Sequence, residues 1–279
     1  MTVLTFRELL KVIFLGIVEG ITEWIPISST GHMLLVDEFL HVQMTDAFRE
    51  VFLYVIQLGA IFAVILLFWK KMWPFRRRRH RGQSIVRIEV FSTWFKVVLA
   101  CIPGTIVALL FDDYIEAHLH TPVVIAAALI LYGVAFLLVE RRTRHESIRT
   151  LGGMTVPAAL LIGLFQVLSI IPGTSRSGST ILGALLIGVS RTAAAEFTFF
   201  LAVPVMVGMG GIKLIKHGLV FTGAEWAALL VGMAVAFVVS LLVVRFLMDY
   251  IRRHDFKAFG WYRIGLGIVV LLYFLVLAK

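Results

Sequence analysis

The sequence predicts an all-α polytopic membrane protein, with six transmembrane helices and two re-entrant helical hairpins arranged as an inverted-topology repeat. About 60% of its 279 residues are hydrophobic and only 15% are charged, whereas soluble domains carry about 25% charged residues. Several apolar segments reach the roughly 17–25 residues that cross a bilayer. Two similar polar motifs, at 16–32 and 163–180, interrupt apolar sequence. Polar groups at membrane depth usually mark a functional site.

Six full spans follow from the apolar segments. Basic residues cluster in the connections 70–91 and 141–150, which places both on the cytoplasmic side. The connection 112–120 contains acidic residues but no Lys or Arg, as expected outside. The predicted spans are 51–69, 92–111, 121–140, 193–215, 224–246 and 261–278.

Two remaining stretches, 6–40 and 154–190, are apolar but broken by Pro, Gly and hydroxyl residues. Irregular backbone at membrane depth must be buried in protein or line a wet cavity, so both are predicted to be re-entrant hairpins. One hairpin followed by three spans makes a repeat, and the odd number of crossings inverts the second copy. The sequence thus predicts a single membrane domain, 1–279, with repeats of about 1–145 and 146–279.

The net charge of +9 does not indicate nucleic-acid binding. The basic residues flank apolar spans, where they set orientation; contact with anionic lipid head groups is the alternative. A single cysteine, Cys101, excludes an intramolecular disulfide and a cysteine-based metal site. The first apolar run leads into Glu19 without a small-residue cleavage pattern, so it is interpreted as mature structure rather than a signal peptide.

Glu19 and Glu23 are the first candidate site residues. Their spacing of four places both on one face of a predicted helix. Two close carboxylates repel unless one is protonated or a cation lies between them. Carboxylate oxygens suit Mg²⁺ or Ca²⁺, so the pair predicts a divalent metal site or an acid–base pair. The alternative is a pair that is simply solvated in a wet vestibule.

The turn after this pair, at 26–32, contains hydroxyl residues at the start of a predicted helix. Ser28, Ser29 and Thr30 can cap the helix, and its free amides attract phosphate. His32 lies three residues beyond Ser29, as a base beside a hydroxyl nucleophile would. The alternative is a capping turn with a hydrogen-bonded histidine.

The second turn, at 172–180, combines a fixed cation with hydroxyl groups and two glycines. Glycines let backbone amides approach a ligand, and an arginine side chain can bind phosphate through two parallel hydrogen bonds. An offset of 146 pairs Ser28 with Thr174 and Ser29 with Ser175. The alternative is an arginine paired with Glu19 or Glu23. The candidate residues for phosphate are Arg176, Thr174, Ser175, Ser177 and Thr180.

The patterns EGITEWIPISSTGH and IPGTSRSGST resemble the signature segments of bacterial undecaprenyl-diphosphate phosphatases, the bacitracin-resistance family. The resemblance covers essentially the whole chain. It implies removal of the terminal phosphate from undecaprenyl diphosphate, which regenerates the carrier lipid for peptidoglycan synthesis. It also implies dependence on a divalent metal and a multi-pass protein of the bacterial inner (cytoplasmic) membrane, with its site opening to the outer side.

Carried over by motif position, the resemblance implies that Glu19 and Glu23 are the acidic pair and Ser29 the nucleophile. It further implies that His32 is the catalytic histidine, that Arg176 binds phosphate, and that Ser175 and Thr180 are hydroxyl ligands. Many members carry an aspartate shortly before the second hairpin. This chain has GGMTVP at 152–157, so no role for that aspartate carries over.

A polyprenyl-lipid flippase or transporter is the rival function, because inverted repeats with re-entrant hairpins are typical of transporters. A transporter needs binding groups but no nucleophile–base pair. The sequence leaves open whether attack is by Ser29, forming phosphoserine, or by water. It also leaves open the preferred prenyl chain length and whether the chain forms a homodimer in addition to contacting membrane lipids.

Overall fold

The computed structural model describes residues 5–40, 45–76, 84–142, 146–218 and 220–277. These residues form ten α-helices and, apart from two isolated β-bridges, no β-structure. The all-α class is therefore confirmed. The helices are α1 (Phe6–Thr22), α2 (Ser29–Phe39), α3 (Asp46–Met72), α4 (Ile88–Leu119), α5 (Pro122–Arg141), α6 (Val156–Val167), α7 (Arg176–Leu186), α8 (Arg191–His217), α9 (Gly223–Ile251) and α10 (Lys257–Leu272).

Six segments of the described chain are long and apolar enough to cross a membrane, and they coincide with the six predicted spans. Each contains 20 or more residues, which meets the length that about 30 Å of hydrocarbon requires. The segments are Val51–Met72, Ile88–Phe111, Pro122–Arg141, Arg191–His217, Gly223–Ile251 and Lys257–Val276.

Hydroxyl side chains fix where six of the helices begin. In each case the side-chain oxygen accepts a hydrogen bond from the backbone amide three residues on. This contact satisfies an amide that the helix itself leaves unpaired, and it typically stabilises the helix by about 1 kcal/mol. The capping residues are Thr5, Thr45, Thr121, Thr155, Ser190 and Thr222.

The two motif-bearing stretches each fold into a pair of short helices joined by a turn. α1 and α2 form the first hairpin, and α6 and α7 form the second. The four helices contain 11 to 17 residues, so they are shorter than the six apolar segments, which contain 20 or more. Hairpin geometry at both motifs is thus observed, whereas membrane re-entry stays a prediction.

The hairpins dock onto the opposite half of the chain by close helix packing. α1 packs on α9, and α6 packs on α4. A Cβ atom at Gly16 would lie 2.9 Å from the carbonyl oxygen of Gly232, and one at Gly163 would lie 2.4 Å from that of Ala100. Only glycine permits such approaches. The reciprocal packing fits two related halves; their inverted orientation and the division near residue 145 stay predictions.

The first hairpin's turn is anchored in the hydrophobic core. Trp24 is almost fully buried and meets the ring of Phe199 edge-on, at a centroid distance of 5.4 Å. Phe199 in turn contacts Phe68 of α3 at 5.8 Å. Aromatic pairs in this geometry add to the stabilisation that burial provides. The turn is therefore held between helices of both halves.

Candidate active site

The two hairpin turns share an unusual backbone conformation. Ser28 and Ser175 precede α2 and α7 with φ angles of 74° and 69°, the two positive values among described non-glycine residues. Each serine side chain accepts a hydrogen bond from the glycine amide three residues on, Gly31 and Gly178, at 3.3 and 3.2 Å. Positive φ costs energy for residues other than glycine, and such strain clusters at functional turns.

These equivalent caps shift the correspondence between the motifs by one position. Ser28 matches Ser175, so the offset at the helix starts is 147 rather than the predicted 146. Ser29 consequently matches Arg176, which opens the second helix. The difference arises because the turn that follows Pro172 has one residue more before its cap than the turn that follows Pro26 in the first hairpin.

Glu23 is where the two hairpins meet. Its Oε2 accepts a hydrogen bond of 3.0 Å from the Ser29 hydroxyl, and its Oε1 accepts one of 2.5 Å from the Arg176 guanidinium. Glu23 and Arg176 lie 153 positions apart in the chain. The structure therefore brings three of the predicted catalytic residues into one cluster built from both hairpins.

Arg176 is held firmly in this cluster. Besides Glu23 it contacts the carbonyl oxygen of Ala202 at 3.4 Å and the sulfur of Met206 at 3.2 Å, both on α8. Its buried Nε has no hydrogen-bond partner within the described residues. The pairing with a carboxylate, weighed as an alternative above, is present. A free N–H beside it can still bind an anion, so pairing and phosphate binding are compatible.

Glu19 lies one helical turn before Glu23 and is only 2% exposed. The solvated-pair alternative is therefore wrong for this residue. Glu23 is close enough to act on Glu19 electrostatically, and Glu19 Oε1 is buried without a partner among the described residues. A buried carboxylate oxygen needs a proton or a cation.

His32 has partners other than Ser29. Its Nδ1 lies 2.7 Å from the carbonyl oxygen of Ser28, and its Nε2 lies 2.7 Å from the hydroxyl of Tyr262 on α10. The alternative of a capping turn with a hydrogen-bonded histidine is thus present. The Ser29 hydroxyl donates its hydrogen bond to Glu23 instead. His32 is not available to Ser29 because α2 places it on the side that faces α10.

The predicted hydroxyl ligands divide into two groups. Ser177 donates to the backbone oxygen of Glu23 at 3.3 Å and contacts Ser175 at 3.1 Å, so both lie at the cluster. Thr174 closes its own turn through the carbonyl oxygens of Leu168 and Ile171 at 2.9 and 2.8 Å.

The remaining hydroxyls point elsewhere. Thr180 is fully buried and contacts Thr198 of α8 at 2.9 Å, which ties α7 to α8. Thr30 is exposed, and Ser28 is buried as the cap of α2. Thr180 and Ser28 therefore support the scaffold, the first as a link to α8 and the second as a helix cap.

Arg263 was not predicted from the sequence. It is 0% exposed on α10, and it donates to the carbonyl oxygens of Pro26, Gly173 and Thr174 at 3.0, 2.8 and 2.9 Å. Its guanidinium also lies 5.3 Å from the centre of the Tyr132 ring. Arg263 therefore joins the two turns directly. An arginine inside an apolar span was the signal that could have revealed it.

Comparison with known proteins places this site in a family. Residues 12–269 match the family described as bacitracin resistance protein BacA. Undecaprenyl-diphosphatase of Enterococcus faecalis is 64% identical over 271 residues, covering 96% of this chain and 98% of that protein.

Further relatives carry the same description. Undecaprenyl-diphosphatase of Lachnoclostridium phytofermentans is 56% identical, with 97% and 98% of the two chains covered. Undecaprenyl-diphosphatase 1 of Clostridioides difficile is 50% identical, with 99% and 100% covered. With six apolar helices, two motif-bearing hairpins and matches over nearly its whole length, this multi-pass membrane protein belongs to the bacitracin resistance protein BacA family.

Proposed function

We propose that this protein hydrolyses undecaprenyl diphosphate to undecaprenyl phosphate and inorganic phosphate, recycling the carrier lipid for cell-wall synthesis. The names of its relatives support this function. The single observation that carries it is the cluster in which Ser29, Glu23 and Arg176 meet across the two hairpins. A hydroxyl nucleophile, its acceptor and a phosphate-binding cation are the groups that phosphoryl transfer requires.

The first chemical step follows from the contact between Ser29 and Glu23. The Ser29 hydroxyl passes its proton to Glu23 Oε2, 3.0 Å away, and its oxygen attacks the terminal phosphorus. The bond between that phosphorus and the bridging oxygen breaks, and undecaprenyl phosphate leaves with the electron pair. Arg176 and the first amides of α2 and α7 stabilise the charge on the phosphoryl oxygens.

Water completes the cycle in the second step. Its oxygen attacks the phosphorus of phosphoserine while His32 Nε2 takes one of its protons. The Ser29 oxygen leaves and recovers its proton from Glu23, and inorganic phosphate is released. His32 gives its proton to the departing phosphate, so Ser29, Glu23 and His32 all return to their starting states.

A divalent cation fits the acidic pair. Glu19 Oε1 is a buried oxygen without a partner among the described residues, and Glu23 lies beside it. No cluster of three or more His, Cys, Asp or Glu occurs in the described part of the chain. The two carboxylates suit Mg²⁺, which is usually bound through one or two carboxylates plus substrate phosphate and water; Ca²⁺ also takes oxygen ligands, in larger number. When bound, the ion would neutralise phosphate charge.

The Ser29–Glu23 contact also favours hydrolysis over lipid flipping. A flippase needs groups that bind a diphosphate, and Arg176 alone would serve that purpose. It has no use for a hydroxyl that donates to a buried carboxylate. The pair is therefore best explained by chemistry at phosphorus.

Phosphate release tests the proposed function. Purified protein in detergent with undecaprenyl diphosphate and Mg²⁺ should release inorganic phosphate, and Ser29→Ala should lower the rate by at least 100-fold. Thr30→Ala is the matched control, because the exposed Thr30 neighbours Ser29 in the chain; its rate should be normal. Lipid transport by proteoliposomes without phosphate release would establish the flippase instead.

We further propose that the protein lies in the bacterial cytoplasmic membrane with its site open to the outer side. Basic residues near 76–81 and the acidic connection at 112–120 support this orientation. In a Cys101→Ser background, an impermeant maleimide should label His120→Cys in intact cells and Ser84→Cys only after permeabilisation. Both positions are exposed. Labelling of Ser84→Cys in intact cells would reverse the orientation.

A further inference from the structure

The hydrogen bonds of His32 define which ring nitrogen can take up a proton. Nδ1 lies 2.7 Å from the backbone carbonyl oxygen of Ser28, which can only accept, so Nδ1 carries the hydrogen. In the neutral ring the lone pair is therefore on Nε2. The Tyr262 hydroxyl, 2.7 Å away, donates to that lone pair.

A hydroxyl suits both protonation states of the ring. It donates to Nε2 when His32 is neutral and accepts from it when the ring is protonated. The two rings are nearly parallel, with an interplanar angle of 6° and a centroid distance of 5.6 Å. His32 can therefore gain a proton through this hydroxyl, which passes its own proton to Nε2 and takes one from water, without losing its partner or changing its orientation.

Tyr262 reaches His32 from a distant part of the chain. The two residues are 230 positions apart, on α10 and α2. Tyr262 directly precedes Arg263, which binds both hairpin turns, so its position on α10 is fixed relative to the site. Tyr262 is 49% exposed, and its hydroxyl is not needed to satisfy a buried group of the fold.

We infer that Tyr262 is a positioning residue of the active site. It holds the orientation of the His32 imidazole, whose Nδ1–H tautomer the Ser28 carbonyl fixes, and its hydroxyl connects Nε2 to the proton that this nitrogen receives. The inference rests on the proposed function, because it assigns Tyr262 a part in the same hydrolysis. It adds α10 to the two hairpins as a source of groups that act on the reaction.

Tyr262→Phe tests the inference, because it removes the hydroxyl and keeps the ring. Proton transfer by a positioned group contributes about 100- to 10,000-fold to a rate, and loss of its orientation forfeits part of that. We expect kcat for undecaprenyl diphosphate to fall at least about tenfold. KM should change less than about twofold, since Tyr262 touches His32 rather than substrate.

Tyr273→Phe is the matched control. Tyr273 follows α10 and also links it to α2, through a hydrogen bond of 3.4 Å to Glu38. It lies away from His32, so its loss should leave kcat unchanged. Equal effects of the two substitutions would reduce Tyr262 to a general link between α10 and α2 and overturn the inference.

A double-mutant cycle separates positioning from structural support. In a His32→Ala background, Tyr262→Phe should have almost no further effect on kcat, because the group it positions is gone. A full additional tenfold loss in that background contradicts the inference.

Nitrogen-15 NMR of histidine-labelled protein gives a readout independent of turnover. The His32 signals, identified by their absence in His32→Ala, should show a protonated Nδ1 and an unprotonated Nε2, and the Nε2 shift should move in Tyr262→Phe. The opposite tautomer in the unsubstituted protein disproves the inference. If that protein releases no phosphate, the proposed function fails, whereas normal turnover by Tyr262→Phe rejects only the role of Tyr262.

Discussion

Replacement of Arg176 by alanine is expected to lower the rate of phosphate release about 100- to 1000-fold, the typical cost of losing one electrostatic contact to transition-state charge. The substitution also leaves Glu23 without the cation that its Oε1 binds. Phosphate release under saturating substrate and Mg²⁺ measures the effect. A normal rate for Arg176→Ala would show that the two hairpins do not form one site.

Arg176→Lys should recover little of the rate. An ammonium keeps the charge but cannot make the planar pair of hydrogen bonds that a guanidinium makes with phosphate. Arg191 offers a control: it is an arginine with a bidentate partner, Glu140, outside the Glu23 cluster. Arg191→Lys should alter thermal stability rather than turnover.

Ser29→Ala and Arg176→Ala are expected to be strongly non-additive. Both side chains bind Glu23, and residues that act as one catalytic unit lose most of their effect when a partner is already missing. The double variant should therefore be about as slow as the slower single variant. Multiplied losses in the double variant would indicate independent roles.

Glu23→Gln should have an effect as large as that of Arg176→Ala. The amide has nearly the same shape, but it cannot take the Ser29 proton, and it leaves a buried guanidinium without a counter-charge. Breaking a buried ion pair by removing one partner typically destabilises a protein by roughly 3–5 kcal/mol. Phosphate release and the melting temperature should both fall.

Glu19→Gln is the informative comparison for Glu23→Gln. Glu19 has no contact with Ser29 or Arg176 among the recorded hydrogen bonds of the described residues, while its Oε1 is free for a cation. We expect a higher Mg²⁺ requirement with the Ser29–Glu23 contact preserved. If both glutamine variants kept the normal rate and metal response, the metal proposal would fail.

The spans were predictable because hydrophobicity is a property of consecutive residues. A segment such as Val51–Met72 is long and apolar whatever it packs against. The two hairpins were predictable for the same reason, since Pro26 and Pro172 interrupt apolar runs with polar turns. The identities of Ser29, Glu23 and Arg176 as candidates followed from placing costly polar groups in such turns.

Contacts between distant segments could not be predicted from the sequence. That Ser29 donates to Glu23 while His32 turns to Tyr262 depends on how α2 lies against α10. In the sequence, Thr180 was as good a candidate for a hydroxyl ligand as Ser177. In the structure, Thr180 lies about one helical turn further along α7 and contacts Thr198 instead. The sequence of a motif shows which side chains it contains. It does not show where those side chains point once the helices have packed.

The sequence by itself thus determined the membrane class, the number of spans and the candidate residues for phosphate binding, because hydrophobicity and polarity are properties of short stretches of sequence. Only the tertiary structure decided that Arg263 joins turns 237 and about 90 positions away. A buried guanidinium must satisfy its donors wherever carbonyl oxygens converge. That convergence exists only once helices from both halves of the chain have packed together.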